Sequence, residues 1–137
     1  MPAYLFDSNV LSEIMRNPHG DAAQLFRLRE ADPASRLLTS IIVACEMHYC
    51  AAKKGSIPLA RRVEQSLATV EVASLSAGAE EAYATLRADL ERRGQLIGQN
   101  DMLIAAHALA LDAILVTDNV REFKRVKGLK IENWLRA

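Results

Sequence analysis

The chain has 137 residues, of which 50% are apolar, and its 17 basic residues balance its 17 acidic ones. That length suits one globular domain with a sizeable core, and a formal charge of zero excludes a general attraction to nucleic acid or anionic membranes. No apolar run approaches the roughly 18 residues of a membrane-spanning helix, and the first residues lack the order of a signal peptide. We therefore expect a single cytoplasmic domain over residues 1–137 without membrane contact.

Strands and helices are predicted to alternate along the first half of the chain. Apolar residues recur at helical spacing between short runs that suit strands, and proline or glycine stands at most of the breaks. The predicted elements are a strand over residues 3–6, a helix carrying Val10 to Met15, a helix from Ala22 to the Asp32-Pro33 stop, a strand over residues 36–40, and a helix from Ile41 to Lys53-Lys54-Gly55.

The second half continues the alternation. Pro58 fits the first turn of a helix, Ser76 suits an N-cap, and Gly94 stops the helix that follows it. The predicted elements are a helix carrying Leu59 to Leu67, a strand over residues 70–73, a helix from about Ala77 to Arg93, a largely apolar helix from Gly98 to Leu111, a strand over residues 113–117, a short basic turn from Val120 to Val126, and a tail with Ile131 and Trp134.

Alternation without a hairpin dipeptide predicts crossover connections and therefore a parallel sheet. We expect an α/β fold with three α/β/α layers around a central parallel sheet of four to five strands. In such sheets, functional sites form beyond the carboxyl ends of the strands, where the winding reverses. Asp7 and Asp118 follow two of the predicted strands.

The two cysteines, Cys45 and Cys50, fall five residues apart on one predicted helix. That spacing places them on different faces, so they are not expected to form a disulfide with each other. We predict that both are small buried apolar residues.

Four acidic residues are candidates for chemistry, because Asp7 and Asp118 follow strands while Asp101 and Glu46 lie near the starts of helices. Each has an ordinary alternative: Asp7 caps a helix, Asp101 complements a helix dipole, Asp118 forms a turn, and Glu46 faces solvent. Brought together, they would repel one another unless a cation lay among them. Oxygen ligands without well-spaced His or Cys favour Mg²⁺ or Mn²⁺ over Zn²⁺.

Four segments carry a family resemblance: Phe6 to Asn9, Ser40 to Glu46, Ile97 to Ala108, and Leu115 to Phe123. In this order they resemble the PIN-domain ribonucleases and, within them, the VapC toxins of bacterial toxin–antitoxin pairs. The resemblance spans essentially the whole chain and implies a PIN-like fold. It further implies that four acids are both the catalytic residues and the metal ligands, namely Asp7, Glu46, Asp101 and Asp118.

The resemblance further implies supporting residues and a reaction. Ser8 keeps the hydroxyl of the commoner Thr, Asn9 matches the family's Asn, and Thr117 and Asn119 flank Asp118. The implied reaction is metal-dependent hydrolysis of an RNA phosphodiester, in which the ion activates water and leaves 5′-phosphate and 3′-hydroxyl ends. Transfer RNA is the implied substrate.

Local basic residues are the candidates for RNA contact, because RNA binding requires phosphate contacts. Arg121, Lys124 and Arg125 are spaced to share one face after Asp118, and Arg87 lies on the long predicted helix. The alternative is that these residues form an ordinary solvated face.

A pair of histidines could instead cleave RNA by acid–base chemistry without metal. His19 lies in a predicted turn, while His48 and His107 lie on predicted helices among apolar residues. We therefore expect structural roles for all three.

The other class of function is a binding module. Three predicted helices carry more apolar surface than a small sheet needs, which predicts a groove for a partner's helix. These residues are Val10, Leu11, Ile14, Met15, Leu25, Phe26, Leu28, Leu59, Val63 and Leu67. The resemblance implies that an antitoxin fills this groove, that operator DNA is bound only through the antitoxin, and that the chain forms a homodimer. In this alternative the nuclease activity is weak or absent.

Overall fold

The computed structural model describes residues 2–136 and contains a five-stranded parallel sheet flanked by helices, which confirms the predicted three-layer architecture. Within this range, none of the helices combines the length and apolar character needed to cross a bilayer. The elements are β1 (Ala3–Phe6), α1 (Ser8–Arg16), α2 (Asp21–Ala31), β2 (Arg36–Ser40), α3 (Ile41–Lys54), α4 (Ile57–Leu67), β3 (Glu71–Ala73), α5 (Ala79–Arg92), α6 (Gln99–Ala110), β4 (Ile114–Val116), α7 (Val120–Phe123) and β5 (Ile131–Glu132).

The strand order is β3-β2-β1-β4-β5, so the winding of the chain reverses between β1 and β4. Phe6 pairs with Thr39 of β2 on one side and with Val116 of β4 on the other. The residues that follow these three, Asp7, Ser40 and Thr117, therefore lie at the same edge of the sheet. This edge is where the predicted site residues converge.

Two helices begin directly at the ends of strands because polar side chains cap them. The Asp7 carboxylate accepts the Ser8 N–H at the start of α1, and Ser40 Oγ accepts the Ile42 N–H at the start of α3. Each strand thus passes into its helix without a loop. The Asp7 and Ser40 side chains therefore lie directly at the edge of the sheet.

The core lies on α6 and the central strands. Alanines at positions such as Ala105 and Ala108 are completely buried, which lets α6 approach the sheet closely. α5 packs along α6, and α3 contacts α6 as well. The tail belongs to this core, because the Trp134 ring lies edge-on against Phe6 with centroids 5.1 Å apart.

The start of α5 differs from the prediction. Ser76 is not its N-cap, because α5 begins at Ala79 after Gly78, which has a φ of 96°. This left-handed conformation suits glycine and turns the chain into the helix two residues later than expected. The Ser76 hydroxyl oxygen is buried without a hydrogen-bond partner in residues 2–136.

The predicted burial of Cys45 and Cys50 is wrong, because both are exposed free thiols. α3 turns a different face toward the core, formed by Val43, Ala44, Met47 and Ala51. The cysteines fall outside this face, and the apolar sequence around them does not reveal which side of the helix is covered.

Candidate active site

Asp7 follows β1 and is nearly buried, with 4% of its surface exposed. Its N–H donates to the Val116 carbonyl at 2.9 Å, so the residue still belongs to the sheet. Its Oδ1 accepts the Ser8 N–H at 2.8 Å, and its Oδ2 accepts the Thr117 hydroxyl at 2.8 Å. The carboxylate is therefore oriented from two elements of the fold.

The predicted supporting residues join β1 to β4 around Asp7. Asn9 Nδ2 lies 3.5 Å from Asp7 Oδ2, and Asn9 Oδ1 accepts the Asp118 N–H at 3.1 Å. Thr117 is fully buried, and its Oγ1 accepts the Asn119 N–H at 3.0 Å. Since that bond occupies an acceptor position, the hydroxyl proton of Thr117 is directed to Asp7.

Two acids from helices lie close to Asp7. Glu46 of α3 and Asp101 of α6 line one open pocket at the start of α6, together with Gly98, Gln99 and Asn100. Both side chains are half-buried. The helices α3 and α6 thus bring two residues far apart in sequence to the edge where β1 ends.

The pKa of each of these three carboxyl groups is raised. Burial is the main cause for Asp7. Burial is also the main cause for Glu46, with added repulsion from the charges of Asp7 and Asp101. For Asp101, burial and then the charges of Asp7 and Glu122 raise the pKa to about 6. Because these acids repel one another, a cation among them would favour their charged forms.

The carboxylate oxygens of these acids are chemically suited to bind a hard divalent cation. Carboxylate oxygens from Asp7, Glu46 and Asp101 are the ligands that Mg²⁺ and Mn²⁺ prefer. Within residues 2–136, however, no three His, Cys, Asp or Glu side chains stand close enough to hold one ion together. Side-chain rotation would be required to close such a site around a cation.

Known proteins match this chain in sequence and in overall fold. The PIN domain family model matches residues 4–129. The chain belongs to the PIN-domain family. It is 36% identical to Ribonuclease VapC2 of Rickettsia felis over 132 residues, which cover 96% of this chain and 97% of that protein. It is 31% identical to the tRNA(fMet)-specific endonuclease VapC of Salmonella typhimurium over 136 residues, which cover 98% and 99%.

The solved structure of VapBC2 from Rickettsia felis, bound to a DNA fragment from its promoter, contains a chain of the same fold. It aligns with a TM-score of 0.89 and 32% identity, covering 96% of this chain and 98% of that one. These relatives place the PIN domain among the VapC proteins.

Asp118 of this PIN domain lies in a separate network from the three gathered acids. Its Oδ1 accepts hydrogen bonds from Asn133 Nδ2 at 3.0 Å and from Arg136 Nε at 2.8 Å. These bonds, that of Arg136 first, hold its pKa below the usual value. The structure thus gathers three of the four predicted acids and ties the fourth to the carboxyl-terminal tail.

The predicted RNA contacts of the PIN domain divide into two groups. Arg87 donates to the Tyr83 hydroxyl at 2.6 Å within α5, and Arg125 donates to a carbonyl of the α5–α6 loop at 3.1 Å. Arg121 and Lys124 are exposed at α7, just after Asp118. Arg121 and Lys124 are therefore more available for phosphate contact than Arg87 and Arg125.

Two residues near the acids of the PIN domain are not among the predicted site residues. The Asn100 side chain acts against the burial that raises the pKa of Glu46, and the charge of Glu122 on α7 adds to burial and Asp7 in raising the pKa of Asp101. Asn100 and Glu122 both lie in segments that carry the family resemblance, and this position in the sequence could have identified them as site residues. Their proximity depends on how α7 packs near α6, which local sequence does not reveal.

The histidines of the PIN domain are separated. His19 and His48 are exposed, while His107 is fully buried with its Nδ1 2.7 Å from Ser40 Oγ. Within residues 2–136, no hydrogen bond joins two of them, so the arrangement does not favour acid–base cleavage by a histidine pair.

The apolar residues predicted to form a groove divide between core and surface. Val10, Leu11, Phe26 and Val63 are buried in the core, and Leu28 is 68% exposed. A groove of about 350 Å³ remains between α1, α2 and α4. Its apolar lining includes Leu11, Ile14, Met15, Pro18, Ala23 and Phe26.

Proposed function

We propose that this PIN domain is a metal-dependent endoribonuclease, the toxin of a bacterial toxin–antitoxin pair. The observation that carries the proposal is the gathering of Asp7, Glu46 and Asp101 at the carboxyl edge of the sheet, where their pKa values are raised. The names of the relatives, Ribonuclease VapC2 and tRNA(fMet)-specific endonuclease VapC, support the same reaction.

Asp7, Glu46 and Asp101 would hold Mg²⁺ or Mn²⁺, with Asp118 as the fourth predicted ligand. When bound, such an ion supplies Lewis acidity toward the phosphate and a nucleophile from water at neutral pH. Hydrolysis then breaks the bond between phosphorus and the 3′ oxygen, which takes a proton, while the water oxygen remains on the 5′-phosphate. The RNA 2′-hydroxyl takes no part.

The side chains around the acids prepare them for this role. Thr117 and the Ser8 N–H orient the two oxygens of Asp7 before RNA arrives. Asp101, with a pKa of about 6, holds a proton on part of the molecules near neutral pH and would release it when a cation binds.

RNA would approach along α7. Arg121 and Lys124 are exposed at α7, the helix that carries Glu122 near Asp101, and would contact phosphates, whereas Arg87 and Arg125 are engaged within the fold. Transfer RNA is the proposed substrate, because one relative is named as a tRNA(fMet)-specific endonuclease.

A cognate antitoxin is the proposed protein partner, and it would bind operator DNA for the pair. The support is the VapBC2 complex of Rickettsia felis bound to a promoter fragment. The groove between α1, α2 and α4 has the apolar lining that an antitoxin helix would need. A homodimer of the chain is proposed alongside.

A second candidate function is a weakly catalytic or inactive partner in such a DNA complex. The observation in its favour is that no three potential ligands within residues 2–136 are already arranged to hold a metal ion. If activity is absent in a folded, metal-loaded chain, this candidate replaces the nuclease.

The test is cleavage of total cellular RNA by the antitoxin-free chain with Mg²⁺, with Mn²⁺ and with chelator. We expect discrete cuts with 5′-phosphate ends that require metal and disappear in Asp7→Asn and Asp101→Asn. The control is Asp112→Asn, because Asp112 is exposed and its φ of 51° suits asparagine. Cleavage that persists in chelator or yields cyclic phosphates would exclude the metal mechanism.

A further inference from the structure

The helices α3 and α6 meet at two points near the site. His107 of α6 contacts Ser40, the N-cap of α3, and Asp101 of α6 shares a pocket with Glu46 of α3. The contacts occur in opposite order along the two helices, so α3 and α6 run in opposite directions between them. Six residues separate the contacts on each helix, which corresponds to about 9 Å of helix rise.

One of these points is a buried hydrogen bond. His107 and Ser40 are both fully buried, and His107 Nδ1 lies 2.7 Å from Ser40 Oγ. Ser40 Oγ also accepts the Ile42 N–H at 3.1 Å, so its own proton is available for Nδ1. The other ring nitrogen, Nε2, is buried without a hydrogen-bond partner within residues 2–136, so the bond to Ser40 is the hydrogen bond that orients the ring.

The other point is repulsive. Glu46 and Asp101 line one pocket, so their carboxylates repel each other between α3 and α6 when no cation lies among them. A contact that fixes the two helices nearby is needed to keep these acids within reach of one ion.

We propose that the hydrogen bond between His107 and Ser40 is a positioning contact for the metal site. It fixes the spacing of α3 against α6 and so holds Glu46 near Asp101. His107 contacts neither substrate nor metal, and it acts only through the position of the two helices. The inference rests on the proposed function, since it concerns the same acids.

Loss of the acceptor would leave the Ser40 hydroxyl buried without a partner for its proton. Such a group carries an energetic penalty that favours displacement of the helix end. Because bonds from Mg²⁺ to oxygen are about 2.0–2.1 Å long and tolerate little error, a small shift of α3 should weaken binding.

The decisive comparison is His107→Leu against His107→Asn, two side chains of similar size. Asn keeps an acceptor near the position of Nδ1, whereas Leu does not. We expect the Mn²⁺ dissociation constant, measured from the electron paramagnetic resonance of free Mn²⁺, to rise roughly 10-fold or more in His107→Leu. In His107→Asn it should stay within about 3-fold of the wild type.

A matched control separates positioning from a general loss of stability. Val63→Ala truncates a buried side chain on α4, outside the contact between α3 and α6, and should lower the melting temperature without changing Mn²⁺ affinity. If His107→Leu does not fold, Ser40→Ala against Ser40→Thr tests the same bond from the other side, and only the alanine variant should weaken binding.

Folded His107→Leu or Ser40→Ala protein with wild-type Mn²⁺ affinity would overturn the positioning role. Equal losses in His107→Leu and His107→Asn would also overturn it. A folded wild type that binds no Mn²⁺ would instead overturn the proposed metal-dependent function, and this outcome is visible before any variant is made.

Discussion

Burial and neighbouring charges raise the pKa of Asp101 and thereby make the stability of the protein depend on pH. The pKa of Asp101 is raised to about 6 from an ordinary value of 3.8, by burial first and then by Asp7 and Glu122. Between those two pH values the folded chain binds more protons than the unfolded chain. The free energy of unfolding therefore falls as pH rises through this window. The raised pKa values of Asp7 and Glu46 act in the same direction.

Replacing Asp101 should reveal the free-energy cost of burying its charged carboxylate in the metal-free protein. In chelator, we expect Asp101→Asn to be more stable than the wild type at pH 7, because the amide has no charge to bury. The advantage should shrink as pH falls below about 6 and disappear near 3.8. Urea unfolding between pH 4 and pH 7 measures it.

The exposed Asp112→Asn variant is the control for the same chemical change outside the gathered acids. A stability difference for Asp101→Asn that stays constant from pH 4 to pH 7 would contradict the raised pKa.

At the scale of the element, α3 is defined by its two ends. Ser40 caps its start, and Gly55, with a φ of 60°, ends it in a left-handed conformation. No atom lies within 4 Å of the position that a Cβ at Gly55 would occupy. Only backbone conformation therefore selects glycine there.

Replacement of Gly55 tests whether its left-handed backbone conformation is what requires glycine. We expect Gly55→Ala to lower the free energy of unfolding by about 1 kcal/mol, because alanine is disfavoured at positive φ. Gly55→Asn should cost less than half as much, since asparagine tolerates this conformation better. Urea unfolding compares the two, and equal losses would show that conformation is not the cause.

At the scale of the whole molecule, the proposed metal binding would be coupled to folding. The acids of the site come from β1, α3 and α6, and only the folded chain brings them together. A ligand that binds the folded state alone stabilises it by mass action. Without a cation, in contrast, the acids repel one another, which lowers the stability of the folded chain.

Mn²⁺ should therefore raise the melting temperature of the wild type. At 100 times the dissociation constant, the gain in unfolding free energy should be about 2.7 kcal/mol. Asp7→Asn and Asp101→Asn should lose most of this gain, while Asp112→Asn keeps it. Differential scanning calorimetry measures the effect, and an unchanged Mn²⁺ response in Asp7→Asn would argue against this residue as a ligand.

The sequence by itself predicted the order and type of the elements as far as β4, whereas α7 was expected only as a short turn and β5 only as part of the tail. Hydrophobic period, helix caps and breakers are local signals, and β2 was predicted at its observed bounds, Arg36–Ser40. Parallel pairing followed from the alternation of strands and helices, and it placed Asp7 beside the end of β4. The start of α5, expected after Ser76, was decided instead by the left-handed conformation of Gly78.

Only the tertiary structure decided which side chains meet. Ser40 and His107 are 67 residues apart, and Asp118 and Arg136 are 18 apart, so no local period indicates either contact. The same holds for the exposure of Cys45 and Cys50, which depends on the face that α3 turns to the core. Periodicity reports the backbone conformation of a segment, whereas burial and charge pairing depend on what the rest of the chain packs against it.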